Sequence, residues 1–431
     1  MPRRPAWDRH PTVDEVVDAA RTLAAERPEL CRMRDIGASR AGEPLRLLSV
    51  GRGRHNCLVV AGPHANEPVG GATAVALARR VVDDPSLHTE AEATWHFLLC
   101  LDPDGTRRNE SAPSVPGTFL GEHLGFFRPT GAEQPEWAPA VRKPGDALPE
   151  SRALFALIED LRPFLQCSLH GHDIGGSWVQ LTRDLPGLGE PFAKSAAMAD
   201  IPVEHGAFDT LLWSSAEPGV CLAPPSRVRE RFPALVEDVD RSTWGAPHRY
   251  GGLTAAVEVP TWASRLVEDA AAHPAPSAAL RECAARLRDG GRAVRGLLAE
   301  AHTHGGLPDG PVHRAVQAAL AGCDGLAHEW EHLAGHDPYE VLPMLTEGHL
   351  LSSEGLARRL PLRAAVMLRR LVDTDGGAAV RHLRDRAGAF AALQSRALER
   401  RFRARPVPVG HQVRHQGQTV VEVFRRALPP R

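Results

Sequence analysis

The sequence predicts an α/β domain followed by a mainly helical extension. Over the first 300 residues, segments with helical spacing alternate with short apolar runs, which is the pattern of an α/β fold. Each apolar run ends in a polar or Gly/Pro-containing loop, as buried strands do. Further along only helical patterns follow, so we place one domain at 1–303 and a helical C-terminal extension at 304–431.

Each element of the predicted domain has a local signal. Residues 13–27 have helical spacing, and the turn signal Gly42-Glu43-Pro44 separates two short strands within 31–51. Four later apolar runs predict buried strands, namely Cys57 to Ala61, Thr94 to Leu101, Phe164 to Leu169 and Leu253 to Val259. An amphipathic segment at 277–301 predicts a helix that closes the domain.

The extension has a different character. Residues 302–308 resemble a linker, and helical patterns follow at 312–332, 354–372 and 378–402. Residues 351–431 include 17 arginines and 6 acidic side chains. We interpret this region as an Arg-rich helical face docked on the acidic remainder of the chain, and favour that interpretation over a nucleic-acid surface. Its role stays open, and it could also mediate oligomerisation.

The composition is that of a globular protein. The 431 residues are 43% hydrophobic and 24% charged with a net charge of −2. This composition excludes a mainly disordered, collagen-like or coiled-coil protein. No apolar run approaches the roughly 20 residues needed to cross a bilayer. The first ten residues lack the apolar core of a secretion signal, so we expect a cytoplasmic protein without a membrane partner. The seven cysteines lie far apart and predict reduced, buried thiols.

Polar side chains suited to a metal appear where predicted strands stop. His64 and Glu67 lie in the turn after the first of the four runs, and two such residues three apart can point a nitrogen and a carboxylate at one zinc ion. His170 follows the third run, and the last strand carries Glu258. Because ligands bind outside the carboxyl ends of strands in open α/β sheets, we expect these residues to converge.

The turn after the second run adds Asp102-Pro103-Asp104-Gly105 and then Arg107-Arg108-Asn109. Together these segments offer metal ligands, a free carboxylate and guanidinium groups. That combination suits hydrolysis of an amide, since a metal polarises the carbonyl and acidifies water, a carboxylate transfers the proton and an arginine binds an oxyanion.

On these motifs the sequence resembles the zinc carboxypeptidases of the carboxypeptidase A type and, more distantly, aspartoacylase and succinylglutamate desuccinylase. The resemblance extends over about residues 10–300 and begins with Ile36-Gly37-Ala38-Ser39 and Gly42-Glu43-Pro44-Leu45, which are similar to the family's opening hairpin. It continues through His-x-x-Glu, Pro-Asp-Gly, Arg-x-Asn, a third histidine and a final glutamate. The resemblance implies a mixed, mostly parallel sheet flanked by helices.

The resemblance also assigns roles. It implies one zinc ion per chain, bound by His64, Glu67 and His170. Glu258 is then the general base and acid, and Arg107 stabilises the carbonyl oxygen. Asn109, from the same Arg-x-Asn motif, is expected to bind substrate.

The sequence departs from the family pattern at three points, of which the first concerns only a turn and the other two concern the substrate. Asp102 replaces the usual asparagine of the Pro-Asp-Gly turn. The Asp-x-Asn-Arg motif that binds the substrate's terminal carboxylate is absent after Asn109, so we assign that role to Arg128 of Phe126-Phe127-Arg128-Pro129. The usual substrate-binding tyrosine is also missing, and Tyr250, eight residues before Glu258, is a weak substitute.

These observations predict a metallocarboxypeptidase that acts on a small peptide or peptide-like substrate, and two alternatives stay open. An N-acyl amino acid amidohydrolase would use the same zinc site, but a barrel-like C-terminal domain would favour it, and the extension here is helical. A metal-free scaffold that binds a partner through the Arg-rich region predicts loss of a ligand or of the glutamate, and all four residues are present.

A second zinc-type motif lies in the extension. His328-Glu329-Trp330-Glu331-His332 matches H-E-x-x-H, with His336 close behind. No predicted strand lies nearby to build a cleft. We therefore interpret the motif as a solvated helical stripe, with a second metal site as the alternative.

Overall fold

The computed structural model describes residues 7–429 apart from 112–114, 116, 144, 225–227, 229, 231–237, 304–306, 336–344 and 373–376. Its strands are β1 (Cys31–Ala38), β2 (Pro44–Gly51), β3 (His55–Val60), β4 (Ala93–Leu98), β5 (Leu165–Gly175), β6 (Trp178–Leu181), β7 (Ser214–Glu217), β8 (Val220–Leu222), β9 (Leu253–Ala263) and β10 (Arg405–Pro406). Its helices are α1 (Val13–Glu26), α2 (Val69–Asp83), α3 (Pro103–Glu110), α4 (Phe119–His123), α5 (Ala138–Val141), α6 (Pro149–Leu161), α7 (Gly189–Met198), α8 (Pro276–Thr303), α9 (Pro311–Gly335), α10 (Glu347–Leu371), α11 (Ala378–Phe402) and α12 (Val409–Ala427). Within these described ranges, no helix has both the length and the apolar character to cross a membrane.

The strands form one mixed sheet. Its order is β1-β2-β4-β3-β5-β9-β6-β8-β7, and β10 pairs with β9. The central strands β4, β3, β5 and β9 are parallel neighbours, whereas most outer pairs are antiparallel. The structure confirms the predicted α/β fold, which has a mixed sheet, helices on its faces and a helical C-terminal region.

Helices cover both faces of the sheet. On one face, α1, α2, α7 and α12 pack in a core that includes Trp95, Phe97 and Phe424. On the other face, α6 contributes Leu154 and Leu157. Because β3, β5 and β9 are parallel, their carboxyl ends lie at one edge of the sheet, where ligands bind in folds of this kind.

The helices α8 to α11 form a bundle beside that edge. Their shared core also takes in residues from the loops and strand ends of the sheet, among them Ala65, Phe127 and Ile174. The helical extension therefore packs directly against the segments that surround the carboxyl ends of the strands.

The helix α12 was not predicted, and its buried face explains why. That face carries polar side chains, namely Gln412, His415, Gln416 and Thr419. These positions lie in the first part of the helix and are polar where an amphipathic pattern would show apolar residues. The rest of the helix buries Val420, Val421, Val423 and Phe424. Gln416 donates hydrogen bonds to the carbonyl oxygens of His170 and Val257, at 2.7 and 2.9 Å. α12 packs in the core of the sheet, and the division of the chain at residue 303 stays a prediction.

Two central strands are longer than predicted. β5 continues to Gly175 and β9 to Ala263. His170 therefore lies within its strand rather than after it, and Glu258 lies in the middle of its strand. The polar residues after Leu169 indicated a strand end in the sequence. They are instead buried in the structure, because the bundle covers this part of the sheet.

Candidate metal centre and active site

The turn between β3 and α2 positions the first pair of candidate ligands. Gly62 has a φ of 56°, and a Cβ at this position would lie 2.8 Å from the Cys100 Sγ, so the turn requires glycine. The turn leads to His64 and Glu67, which are each 5% exposed. His64 Nδ1 lies 2.9 Å from Glu67 Oε1. The pair is thus held between a buried strand and the first turn of α2.

The strands β5 and β9 bring in the other two residues. Their parallel pairing places His170 directly opposite Glu258. His170 Nδ1 lies 3.1 Å from Glu67 Oε2 and 3.6 Å from Glu258 Oε1. His64, Glu67 and His170 each offer a ligand atom, and these atoms lie within 4.8 Å of one another. Within the described part of the chain, no other group of three or more His, Cys, Asp or Glu side chains has such a geometry.

These three side chains fit a zinc ion in their chemistry. Two imidazole nitrogens and a carboxylate form a ligand set that zinc accepts, and catalytic zinc sites keep three protein ligands and one open position. Burial alone would raise the pKa of Glu67, but His64 and His170 hold it well below its usual value. The carboxylate is therefore ionised, as a metal ligand must be.

Glu136 lies behind both histidines and was not predicted. Its Oε2 lies 3.4 Å from His64 Nε2 and 3.3 Å from His170 Nε2, while Ser168 Oγ donates to its Oε1 at 2.6 Å. Although burial raises the pKa of Glu136, the contacts with His170 lower it to about 2. One carboxylate can thus orient both imidazoles with Nδ1 towards Glu67. Nothing in the spacing around Gln134-Pro135-Glu136-Trp137 indicated this role.

Glu258 is placed beside the ligand cluster but outside it. Its Oε2 lies 3.5 Å from His172 Nδ1 and has no hydrogen-bond partner among the described residues. Burial and the nearby carboxylates of Glu67 and Asp209 raise the pKa of Glu258 well above its usual value. A buried carboxyl group with a free oxygen and a raised pKa can both accept and donate a proton.

Arg128 reaches the same cluster from the segment after α4. It donates to Glu67 Oε1 at 2.8 Å and to Asn66 Oδ1 at 3.2 Å, and its Nη2 lies 3.2 Å from His64 Nδ1. Its side chain is 28% exposed. The guanidinium therefore lies directly beside the candidate ligands, and it is held there by one of them.

Arg107, predicted to stabilise the carbonyl oxygen, is placed elsewhere. Its guanidinium binds both carboxylate oxygens of Asp14, at 2.8 and 3.0 Å, and also Glu43 at 3.2 Å. These partners lie on α1 and at the start of β2, away from the ligand cluster. The contacts of Arg107 therefore do not support the predicted role, because α3 directs this side chain to the other side of the Pro-Asp-Gly turn.

Asn109 is predicted to bind substrate, but its side-chain amide forms hydrogen bonds with backbone groups instead. Its amide nitrogen donates to the carbonyl oxygens of Ala65 and Phe127, at 2.9 and 2.8 Å, and its oxygen accepts from the Phe127 N–H at 2.9 Å. Asn109 thus joins the His64 turn to the segment that carries Arg128. Its contacts give it a positioning role rather than a place on the substrate.

The bundle adds charged side chains that the sequence did not indicate. Arg363 of α10 pairs with Asp173 at 2.6 Å, and His123 Nε2 lies 3.1 Å from the same carboxylate. Asp173 lies on β5, three residues after His170, so this pairing ties α10 to a strand of the site. One helical turn earlier, Arg359 is 3% exposed.

The remaining candidates lie outside the cluster. Tyr250 contacts Arg162, whose guanidinium carbon is 5.7 Å from the ring centre, near the beginning of β9 rather than beside Glu258. His328 and His332 are exposed on α9, and Glu331 between them pairs with Arg288. The described part of this motif forms no metal-type cluster, and His336 lies outside the described residues.

Comparison with known proteins supports the resemblance seen in the sequence. The family model for zinc carboxypeptidases matches residues 16–116, which include His64 and Glu67. A metallo-carboxypeptidase from Burkholderia cenocepacia is 16% identical over 56% of this chain and 59% of its own, with a TM-score of 0.38. Carboxypeptidase A from Helicoverpa armigera is 16% identical over 60% of this chain and 66% of its own, with a TM-score of 0.39.

A third solved structure, bovine thrombin-activatable fibrinolysis inhibitor in complex with tick carboxypeptidase inhibitor, is 13% identical over 44% of this chain and 71% of its own, with a TM-score of 0.31. No curated protein sequence matches the chain. The chain thus spans less than two thirds of the length of the Burkholderia and Helicoverpa carboxypeptidases.

Proposed function

We propose that this protein is a zinc-dependent metallocarboxypeptidase that removes the C-terminal residue of a small peptide or peptide-like molecule. The observation that carries the proposal is a cluster of four side chains. His64 and Glu67, which follow β3, meet His170 from the middle of β5 and Glu258 from the middle of β9. The match of residues 16–116 to the zinc carboxypeptidase family supports the same reaction class.

The metal would be held by His64 Nδ1, Glu67 and His170 Nδ1, since these atoms face one another. When bound, zinc supplies Lewis acidity, which polarises an amide carbonyl and lowers the pKa of water. Glu136 and Ser168 hold the opposite edge of the His170 ring, at 3.3 and 2.9 Å from Nε2, and so fix its orientation.

Glu258 would move the proton. Its carboxyl group lies within 3.6 Å of His170 and keeps one oxygen free of hydrogen bonds to described residues. From this position it can accept a proton from the attacking water and return it to the leaving amine. Its burial removes competing solvent, which strengthens the electrostatic interactions of the site.

Arg128 takes over the role predicted for Arg107. It is the guanidinium that contacts the ligand cluster, through Glu67 and His64, and it is partly exposed to the crevice. A charged donor in this position can stabilise the negative charge that develops on a carbonyl oxygen. The binding of the substrate's terminal carboxylate by Arg128 stays a prediction.

The amidohydrolase alternative would use the same residues and stays second. The described residues after 303 are helical apart from the two-residue strand β10, so they offer no barrel-like domain of the kind that would favour an N-acyl amino acid substrate. The expectations of a cytoplasmic location and of an oligomer contact in the extension stay predictions.

The proposal is tested by two measurements on the purified full-length protein. Metal analysis should find about one zinc per chain, and a mass-spectrometric screen of peptides and N-acyl amino acids should find release of a C-terminal residue. Glu258→Gln should keep zinc and the fold while kcat falls by about 10²- to 10⁴-fold. A protein without zinc, or a Glu258→Gln variant with normal turnover, would overturn the proposal.

A further inference from the structure

Gln416 of α12 is fully buried, and its side-chain amide bonds to three other elements of the fold. Its nitrogen donates to the carbonyl oxygens of His170 on β5 and Val257 on β9, at 2.7 and 2.9 Å. Its oxygen accepts a hydrogen bond from Thr73 Oγ1 of α2 at 2.7 Å. Because two carbonyl oxygens face one end of the amide, that end must be the nitrogen, and the orientation of the side chain is fixed.

The three elements that this amide joins carry the proposed machinery. β5 carries His170, and β9 carries Glu258, the residue after Val257. α2 begins two residues after Glu67, whose Oε2 also accepts a hydrogen bond from the Gly171 N–H of β5 at 3.2 Å. One side chain of α12 therefore contacts each element that positions a proposed metal ligand or the proposed base.

β5 loses one strand neighbour just before His170. The described pairing of β3 with β5 ends at Ser168, whereas the pairing of β9 with β5 continues to Gly175. Within these pairings His170 has a strand partner on one side only. The hydrogen bond from Gln416 gives this part of β5 a second fixed point.

His415, the preceding residue of α12, fixes the other side of β9. Its Nε2 lies 2.9 Å from Ser177 Oγ, which in turn donates to the carbonyl oxygen of Glu258 at 2.5 Å. Since Ser177 uses its proton on Glu258, the imidazole donates from Nε2 and accepts at Nδ1, where Ser195 Oγ lies 2.9 Å away. Burial lowers the pKa of His415 to about 3, so the ring is neutral. α12 thus binds the backbone of β9 at Val257 and at Glu258.

We infer that Gln416 is a positioning residue for the proposed reaction, because its amide holds the backbones of His170 and of the proposed base at a fixed separation. This inference rests on the proposed function and adds to it a residue outside the ligand cluster. His170 Nδ1 lies 3.6 Å from Glu258 Oε1. A displacement of about 1 Å between reacting groups can lower turnover by about 10²-fold. Gln416 bonds to backbone oxygens, so it acts through the two strands and not on the substrate.

Gln412 offers a matched control within the same helix. It lies one helical turn before Gln416 and is also almost fully buried. Its nitrogen donates to the Val407 carbonyl oxygen at 2.8 Å, and its oxygen lies 3.3 Å from His10 Nε2. These partners lie outside α2, β5 and β9. Methionine at either position removes buried hydrogen bonds from α12, but only at Gln416 do those bonds reach the proposed site.

The experiment compares Gln416→Met with Gln412→Met in the full-length protein, with N-acetylated dipeptides as substrates. Both variants should melt at a lower temperature than the wild type, because buried polar groups lose their partners. In the zinc-loaded proteins, only Gln416→Met should lower kcat, by about 10- to 100-fold, while KM changes less than about threefold. Competition with a zinc-binding dye should show a zinc affinity about 10-fold weaker in Gln416→Met and unchanged in Gln412→Met.

Gln416→Glu tests the donor itself. Burial raises the pKa of a carboxyl group, so we expect this glutamate to be protonated and to offer one O–H donor in place of two N–H groups. Its kcat should lie between those of the wild type and Gln416→Met, because one of the two bonds to the strands is kept. A purely structural role predicts instead that kcat follows the melting temperature through all three variants, and that result would overturn the inference.

The outcomes separate this inference from the proposed function. Equal kcat and zinc affinity in Gln416→Met and Gln412→Met would contradict the positioning role. So would a failure of both Gln416 variants to fold when Gln412→Met folds. A wild type that binds zinc but cleaves no dipeptide would contradict the proposed function alone, since the dye measures zinc affinity without substrate. A wild type that binds no zinc would contradict both.

Discussion

The chain contains two histidine–glutamate motifs, and they have opposite surroundings. His64 and Glu67 follow a buried central strand, are almost inaccessible, and meet a third ligand from β5. His328 and His332 are exposed on α9, and a glutamate between them pairs with an arginine of α8. Judged by residue spacing alone, the motif on α9 is the more specific zinc-binding pattern. Among the described residues it assembles no metal-type cluster, so position relative to a sheet edge is here the better guide than spacing.

The largest expected effect separates these two motifs directly. In a His64→Ala/His170→Ala double variant, we expect zinc to fall from about one per chain to none and turnover to disappear, since two of three ligands are lost. The matched His328→Ala/His332→Ala variant should retain both. Metal analysis and activity assays on the same preparations test both expectations. Zinc lost from the second variant and kept in the first would reverse the comparison.

The next largest effect concerns Arg128 and Arg107, whose roles the sequence alone could not distinguish. Arg128→Gln should lower kcat by about 10²- to 10³-fold, because a donor aimed at developing negative charge is removed. Arg107→Gln should change kcat less than about threefold, because its partners Asp14 and Glu43 lie outside the site. Zinc content is measured in both variants to exclude loss of metal as the cause. Equal losses of kcat would contradict the placement of these side chains.

Glu136 provides an intermediate effect. Glu136→Gln keeps the shape but removes the charge behind both imidazoles, so we expect zinc affinity to weaken by about 10- to 100-fold. Glu331→Gln, in the motif on α9, is the control and should leave zinc affinity unchanged. Competition with a zinc-binding dye gives both affinities. An unchanged affinity in Glu136→Gln would mean that Ser168 alone orients His170.

The smallest effect tests the turn beside the site through stability. Burial raises the pKa of Asp102 to about 7, while in the unfolded chain it is about 3.9. The folded state therefore resists ionisation, and the free energy of unfolding falls as pH rises from about 4 to 7, by up to about 4 kcal/mol. Asp102→Asn should equal the wild type near pH 4 and be more stable at pH 8.

Urea unfolding at the two pH values measures this difference. Asn can still accept the hydrogen bond that Asp102 Oδ1 receives from the Gly105 N–H, so the variant loses charge rather than turn geometry. An Asp102→Asn variant that is less stable at pH 8 would show that the ion pair with Arg40, at 3.5 Å, outweighs the cost of burial.

The sequence predicted those parts of the site that follow regular strands. His64, Glu67, His170 and Glu258 could be found because apolar runs mark buried strands, and parallel strands bring their carboxyl ends to one edge. The contacts of Arg107 do not support its predicted role. A motif gives the order of residues but not the direction in which a short helix points its side chains.

Other parts had no local signal. Glu136 lies in a segment whose spacing matches no motif, and it reaches the candidate site through long-range packing. α12 was missed because the buried positions in its first part are polar. One of them, Gln416, donates to distant backbone groups such as the His170 carbonyl. Prediction from hydrophobic patterns assumes that buried positions are apolar, so it fails where buried side chains are polar and hydrogen-bonded.

The position of Gln416 has a consequence for biosynthesis. Its amide holds the backbone of both strands that carry His170 and Glu258, yet it lies after every other described element that lines the crevice. A ribosome makes residues 409–427 after all of those elements. The nascent chain therefore acquires the complete candidate site only when this helix emerges and docks.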